Sequence, residues 1–297
     1  MKQYLLGFAL VLALIGCAQK GAEQKNTSQD HNDQEIFDSS KVSKDSKQSI
    51  PLTTENSVSL FNGDNIFISK EKNNAGKYDL RAVIDKIEFK GTSDKNNGSG
   101  SLEALKADKS KIKISISDDL NSVTTETYDA GNKKVSSKVI KKQGLLTEEN
   151  FKANKLDSKK ITRSNDTTLE YTEMTDAENA VKAVETLKNS IKFEGNLVGN
   201  KTSVSVTEGT VTLTREIQDG KLKIFLNDTA SGSNKKTATW QETAQTLTIT
   251  VDSKKTKNLV FLSDGTITVQ NYDSNGTNLE GKPKEIKDLA ELKAALK

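Results

Sequence analysis

Few residues in this chain could carry out covalent chemistry. It has one cysteine, Cys17, and one histidine, His31, against 44 lysines and arginines and 41 aspartates and glutamates. A lone cysteine forbids an internal disulfide, so a body exported to an oxidising exterior must be held by its own packing and hydrogen bonds. His31 lies in a polar stretch. A Ser-His-Asp or Cys-His nucleophile therefore has no base in the folded part, and a histidine-rich metal site is excluded. Carboxylates are the only abundant acid–base groups, which makes a carboxylate-based hydrolase the enzyme class that the composition favours. No spacing singles out a carboxylate pair, and none stands inside an apolar run that would raise its pKa towards that of a general acid. The sequence thus predicts no catalytic residue, no cofactor and no metal site. Positive and negative charges are interspersed rather than gathered on one face, which argues against nucleic-acid binding.

Cys17 has a second chemistry, set by what precedes it. Lys2 stands before an apolar run of eleven residues, Leu5 to Ile15, that ends in Leu14-Ile15-Gly16-Cys17. A basic start and a short apolar run make a secretory leader. The run is about half of the roughly 20 residues a spanning helix needs. A small residue directly before cysteine, with long or branched apolar residues before that, resembles the bacterial lipobox. In such signals the sulfur receives a diacylglyceryl group, the chain is cut before the cysteine, and the new amine is acylated. Cys17 is accordingly the expected lipidation site, and residues 1–16 the signal peptide.

The elements that follow must present a body to the outside. Residues 17–56 are rich in Gln, Asn, Ser, Asp and Lys, with apolar residues too scattered to share a face, and predict a disordered tether. About 35 such residues span roughly 30 to 35 Å as a flexible chain. From Ser57 the pattern becomes short alternating runs, clearest at Lys111-Ile112-Lys113-Ile114-Ser115-Ile116-Ser117 and repeated at 247–251 and 266–270. Asn97-Gly98, Glu208-Gly209, Asp219-Gly220, Asp264-Gly265 and Asn275-Gly276 are the turn signals, and short connections favour antiparallel neighbours. The two prolines, Pro51 and Pro283, are expected outside the strands. Between residues 121 and 172 polar side chains occupy both alternation phases while β-favouring Thr and Val persist. That predicts a single-layer sheet wetted on both sides and stabilised by cross-strand pairs. Apolar residues at helical spacing predict an amphipathic helix at 284–296, through Ile286, Leu289, Leu292 and Leu296, and a further helical segment at 177–191, through Val181, Val184, Leu187 and Ile191. The expected organisation is a 57–120 N-terminal β part, a 121–172 central sheet, and a 173–297 C-terminal β part closed by the terminal helix.

Several runs carry a family resemblance. The leader with its lipobox cysteine, Lys77-Tyr78-Asp79-Leu80, the run 90–100, Ser253-Lys254-Lys255-Thr256-Lys257-Asn258-Leu259-Val260-Phe261 and the run 266–281 closely resemble the outer surface protein A/B lipoproteins of Lyme-disease spirochaetes. Ser57-Val58-Ser59-Leu60-Phe61 and the run 183–190 are similar to one branch of that family more than the other. The resemblance implies a mainly β, elongated antiparallel sheet with a free-standing single-layer centre between globular ends, plus a C-terminal helix. It also implies anchoring in the bacterial outer membrane, exposure at the surface, and adhesion to tick-vector or host proteins.

The residues by themselves point to the same class. A tethered, charge-rich and expectedly monomeric body suits a binding module. Its candidate contacts are Trp240, Lys254, Lys255, Lys257 and Lys297; the lysines would equally serve to guard a strand edge against aggregation. A surface coat without a specific ligand is the alternative. A transmembrane barrel is excluded, because Thr and Lys on both strand faces leave no lipid-facing band.

Overall fold

In the computed structural model, residues 55–175 and 178–297 are described. Cys17, His31, Pro51 and almost all of the expected tether lie outside them. The first sheet opens with β1 (Glu55–Ser59), β2 (Asn65–Lys72), β3 (Tyr78–Ile84), β4 (Ile87–Ser93), β5 (Gly100–Leu105) and β6 (Lys111–Ile116). It continues through β7 (Ser122–Tyr128), β8 (Lys134–Lys141), β9 (Leu145–Lys152), β10 (Lys155–Thr162) and β11 (Thr168–Met174). It ends with β12 (Ala180–Thr186), β13 (Lys192–Val198), β14 (Lys201–Glu208), β15 (Val211–Gln218) and β16 (Lys221–Asp228). A second sheet holds β17 (Lys236–Gln241), β18 (Thr246–Val251), β19 (Lys254–Phe261), β20 (Ile267–Tyr272) and β21 (Leu279–Glu285), and helix α1 (Leu289–Leu296) follows. The first sheet has sixteen strands and the second five, each in chain order. Every pairing is with the next strand and antiparallel, as short turns require.

Two hydrophobic cores sit on this frame. The N-terminal one gathers Leu60, Ile66, Ile68, Leu80, Ala82, Phe89, Leu102 and Ala104 and ends with Ile114, Ile116 and Val123 on β6 and β7. Within it β4 and β5 approach so closely that a Cβ on Gly91 would collide with the Ser101 carbonyl oxygen, a place only glycine can fill. The C-terminal core starts at Leu169 and Tyr171 on β11 and runs through Phe193, Val204 and Leu213 to Leu247, Leu259 and Ile267 of the second sheet and Leu292 and Leu296 of α1. Between Val123 and Thr167 one side chain alone, Ser137, is buried. Strands β8 to β10 therefore have no covering layer, as their two polar phases predict.

The cores lie on opposite faces of the one sheet. Directly opposed residues Ile114, Thr125, Lys138, Glu148, Lys160 and Glu170 form a row on one face. Lys113, Glu126, Ser137, Glu149, Lys159 and Tyr171 form the matching row on the other. Ile114 belongs to the N-terminal core and Tyr171 to the C-terminal core. Side chains alternate across a strand, so a change in which phase is apolar moves the buried face without breaking the ladder.

Charge then replaces packing in the centre. The first row alternates in sign from Lys138 to Glu170, closing with Lys160 and Glu170 at 2.8 Å. On the other face Lys159 meets Glu149 at 3.1 Å and Lys134 meets Glu126 at 3.0 Å. Lys134 also lies 4.7 Å from the centre of the Phe151 ring, and the Tyr128 hydroxyl donates to Glu126. Pairs of this kind contribute roughly 0.2 to 1 kcal/mol each.

Three sequence expectations are corrected. The segment 177–191 is strand β12 followed by one 3₁₀ turn at Lys188–Ser190, not a helix. A register shift gives β12 three steps from Ala180 to Ala183 where β13 has two from Leu197 to Gly195. That extra residue leaves Ala180 and Ala183 as the buried pair and Val181 61% exposed, so the spacing of Val181 and Val184 that reads as helical is not a buried stripe. Helix α1 begins at Leu289 rather than near residue 284, because Lys284 and Glu285 still belong to β21. Its start is fixed by a reciprocal cap: Asp288 Oδ1 accepts from the Glu291 amide at 2.7 Å, and Glu291 Oε2 accepts from the Lys287 amide at 2.9 Å. Pro283 lies inside β21, not outside the strands. It is tolerated there because β21 is an edge strand whose pairing is irregular between Val269 and Asn271.

Candidate functional site

The C-terminal core contains a buried ion cluster. Phase alternation on β12 places Ala183, Glu185 and Leu187 on the core side, and Glu185 is 1% exposed. Arg215 on β15 meets it with two bonds, Nε to Oε2 at 2.7 Å and Nη2 to Oε1 at 3.2 Å. The Arg215 guanidinium lies between the Phe193 ring, 5.5 Å away, and the Phe261 ring, 5.3 Å away. This planar, forked geometry suits arginine and would not suit lysine. Arg163, just past β10, approaches the same carboxylate at 3.6 Å and donates to Thr167 Oγ1 at 3.2 Å. Glu185 is thus buried among apolar side chains in the fold although no apolar run surrounds it in the sequence. It is matched by two arginines rather than left isolated as a general acid would be.

The cluster forms the floor of a cleft of about 290 Å³. Its apolar walls include Leu187, Ile217, Leu222, Phe261 and Leu262. One rim is set by contacts between the sheets. Asn165 donates to the Ser263 carbonyl at 2.8 Å, the Lys188 amide donates to the Gly265 carbonyl at 3.2 Å, and Lys188 pairs with Asp264 at 3.1 Å. Asp264 is held at a pKa of about 2, first by the Thr266 amide and then by the Lys188 ammonium. Two guanidinium groups facing one carboxylate leave the cleft with one positive charge in excess. The arrangement can receive an anionic group with an apolar body beside it.

The residues singled out from sequence fall in different places. Trp240 is half-buried on β17, and its ring stands edge-on to Phe261 at 6.1 Å, so it packs behind a wall of the cleft. Its indole N–H is buried with no hydrogen-bond partner among the described residues. Lys254 and Lys255 are exposed at the start of β19, with the Lys255 ammonium 5.6 Å from the Tyr272 ring centre. Lys257 is turned inward: its ammonium donates to the Ala295 carbonyl at 2.9 Å, near the end of α1, where the helix dipole favours a cation. Burial, then the charge of Lys236, depress its pKa. Lys297 pairs with Glu208 at 3.0 Å, and Lys293 reaches the same carboxylate at 3.8 Å. The lysines thus do not form one patch. Sequence reasoning missed Arg163, Glu185 and Arg215, although Glu185 shares the phase of Ala183 and Leu187, which was a legible signal. Cys17 lies outside the described residues, among which no helix is long and apolar enough to cross a membrane and no cluster of metal-ligating side chains occurs.

The Borrelia lipoprotein family model matches residues 38–297, and the chain belongs to that family. It is 68% identical over 295 residues, 99% of each chain, to the Outer surface protein B of Borreliella burgdorferi strain B31. It is 61% identical over 300 residues, the full length of each chain, to a further Outer surface protein B of Borreliella burgdorferi. These names are those of surface lipoproteins and not of enzymes, and they place the protein at the bacterial surface.

Proposed function

We propose that the protein is an adhesin, lipid-anchored through Cys17, that binds a tick-vector or host surface protein with its C-terminal part. Cleavage before Cys17 removes residues 1–16, and residues 17–56 serve as the tether between lipid and sheet. Lipid on both the sulfur and the new amine suffices for stable anchoring. The observation that carries the binding reading is the Arg163–Glu185–Arg215 cleft, a built recess with a net positive charge at the cored end farther along the chain from the lipid. Arg163 keeps a third of its side chain exposed, so its guanidinium can meet a carboxylate presented by a partner. Lys254 and Lys255 add long-range attraction for the same acidic partner, which steers encounter more than it tightens the complex.

Cells displaying the full chain provide the test, against a panel of purified vector and host surface proteins. Arg163→Gln should abolish or strongly weaken capture, the Lys254→Gln/Lys255→Gln pair should weaken it at low salt only, and added salt should weaken the parent. A parent that binds nothing in the panel would mark a surface coat without a specific ligand. Unchanged binding by both variants would remove this site. Cys17→Ser should separately release the protein from the detergent phase.

A further inference from the structure

We infer that Asn275 is a self-modifying site, converting to aspartate and isoaspartate without an enzyme and adding a carboxylate beside Lys254 and Lys255. Asparagine followed by glycine is the pair in which this reaction is least hindered, since glycine has no side chain to block its own amide nitrogen. The chain has three such pairs, at Asn62, Asn97 and Asn275. All three lie in turns, yet their carboxamides differ.

At Asn62 the side chain is held at both ends: Nδ2 donates to Asp64 Oδ2 at 2.7 Å and Oδ1 accepts from the Asp64 amide at 3.3 Å. At Asn97 it is held three times, with Nδ2 on the Asp118 carbonyl at 3.0 Å and Oδ1 taking the Ser99 amide at 3.0 Å and the Ser99 hydroxyl at 2.7 Å. Such bonds keep the Cγ carbon from swinging onto the next amide nitrogen. The Asn275 carboxamide is exposed and makes no hydrogen bond among the described residues. The Gly276 amide donates to the Asp273 carbonyl at 2.9 Å as the Gly63 amide does to Leu60 at 3.0 Å, while the Gly98 amide makes no such bond among the described residues, so it is the carboxamides and not the glycine amides that single out Asn275.

In the reaction the Gly276 nitrogen attacks Asn275 Cγ, an N–Cγ bond forms, the Cγ–Nδ2 bond breaks, and the displaced proton leaves with ammonia. Water then opens the cyclic imide. Breaking the new N–Cγ bond gives aspartate, and breaking the bond to the Asn275 backbone carbonyl gives isoaspartate. Either product lowers the formal net charge of +3 by one. Gly276 is packed against β19, where a Cβ would lie 2.8 Å from the Lys255 nitrogen and 3.1 Å from Lys254 Cβ. The extra backbone carbon of isoaspartate therefore presses on the segment that carries both lysines.

The full chain, incubated at mildly alkaline pH and body temperature, is digested and mapped by mass spectrometry, with isoaspartyl methyltransferase labelling as a second readout. The Asn275 peptide should convert several-fold faster than the Asn62 and Asn97 peptides, and unfolding in denaturant should bring the three rates together. Asn275→Gln should remove the fast phase and leave the melting transition unchanged. Conversion of Asn97 or Asn62 as fast as Asn275 in the native chain, or no faster conversion of Asn275 than in the Gln variant, would overturn the assignment.

Discussion

The two cored ends and the central strands β8 to β10 are parts of one ladder, yet they are stabilised by different physics. At the ends, side chains such as Leu102, Phe193 and Leu213 are removed wholly from water, and the sheet is held by what it covers. In the centre no residue from 138 to 166 is buried, and the same backbone pairing is held by opposed charges, by cations over rings and by its continuity with the ends. A β-sheet thus does not need a second layer at every strand, provided neighbouring strands are anchored and cross-strand pairs are favourable. The difference should appear as two scales of mutational sensitivity.

The largest effect is expected at the buried ion pair. Arg215→Leu leaves Glu185 without its bidentate partner inside the core, and removal of one member of such a pair costs about 3 to 5 kcal/mol. Urea denaturation followed by Trp240 fluorescence should show it, since Trp240 packs on Phe261 in the same core. Next comes Leu102→Ala, which opens a cavity in the N-terminal core and should cost about 2 to 5 kcal/mol. Ile140→Ala in the centre, where little is covered, should stay below about 1 kcal/mol. A cost at Ile140 equal to that at Leu102 would mean that a hidden layer covers the central sheet.

Charge reversal sharpens the same contrast. Lys160→Glu sets like charges directly opposite Glu148 and Glu170 and should destabilise the centre by roughly 0.2 to 1 kcal/mol per pair, less at high salt. Hydrogen exchange at β9 and β10 should rise while exchange at β14 and β15 stays constant. Equal acceleration in both places would show that the ladder opens as one unit.

The smallest effect is expected from acid. Asp228 is buried at the end of β16, and the amide of Lys236, the Thr210 hydroxyl and the amide of Ala230 hold its pKa at about 2. Its folded pKa is depressed below the ordinary value of 3.8. The stability it contributes is therefore complete above that value and is lost as pH falls through about 2. Asp228→Asn should flatten the acid limb of a stability–pH curve in that window, with little change at neutral pH. An unaltered acid limb would assign it to other carboxylates, of which Asp264 and Asp119 are held equally low.

Much of this was written locally. Alternation at 111–117, the glycine turn signals and the polar double phase of 121–172 determined an antiparallel sheet with a wet centre, because strand period and turn chemistry depend on neighbours in the chain. The reciprocal cap at Asp288 and Glu291 was also legible, and it would have placed the start of α1 correctly. Spacing at 177–191 misled, because a bulge inserted by pairing with β13 changed the period, and pairing partners are not visible in a single segment. The tertiary structure alone decided that the two cores occupy opposite faces, since that depends on register carried across every strand between them. It alone brought Arg163, Glu185 and Arg215 together, residues far apart in sequence whose charges meet only where the turn after β10 packs beside β12 and β15. It also turned Lys257 inward to the end of α1 while leaving Lys254 and Lys255 outside. Sequence gives each lysine the same charge; whether that charge meets water or a helix end is settled by packing.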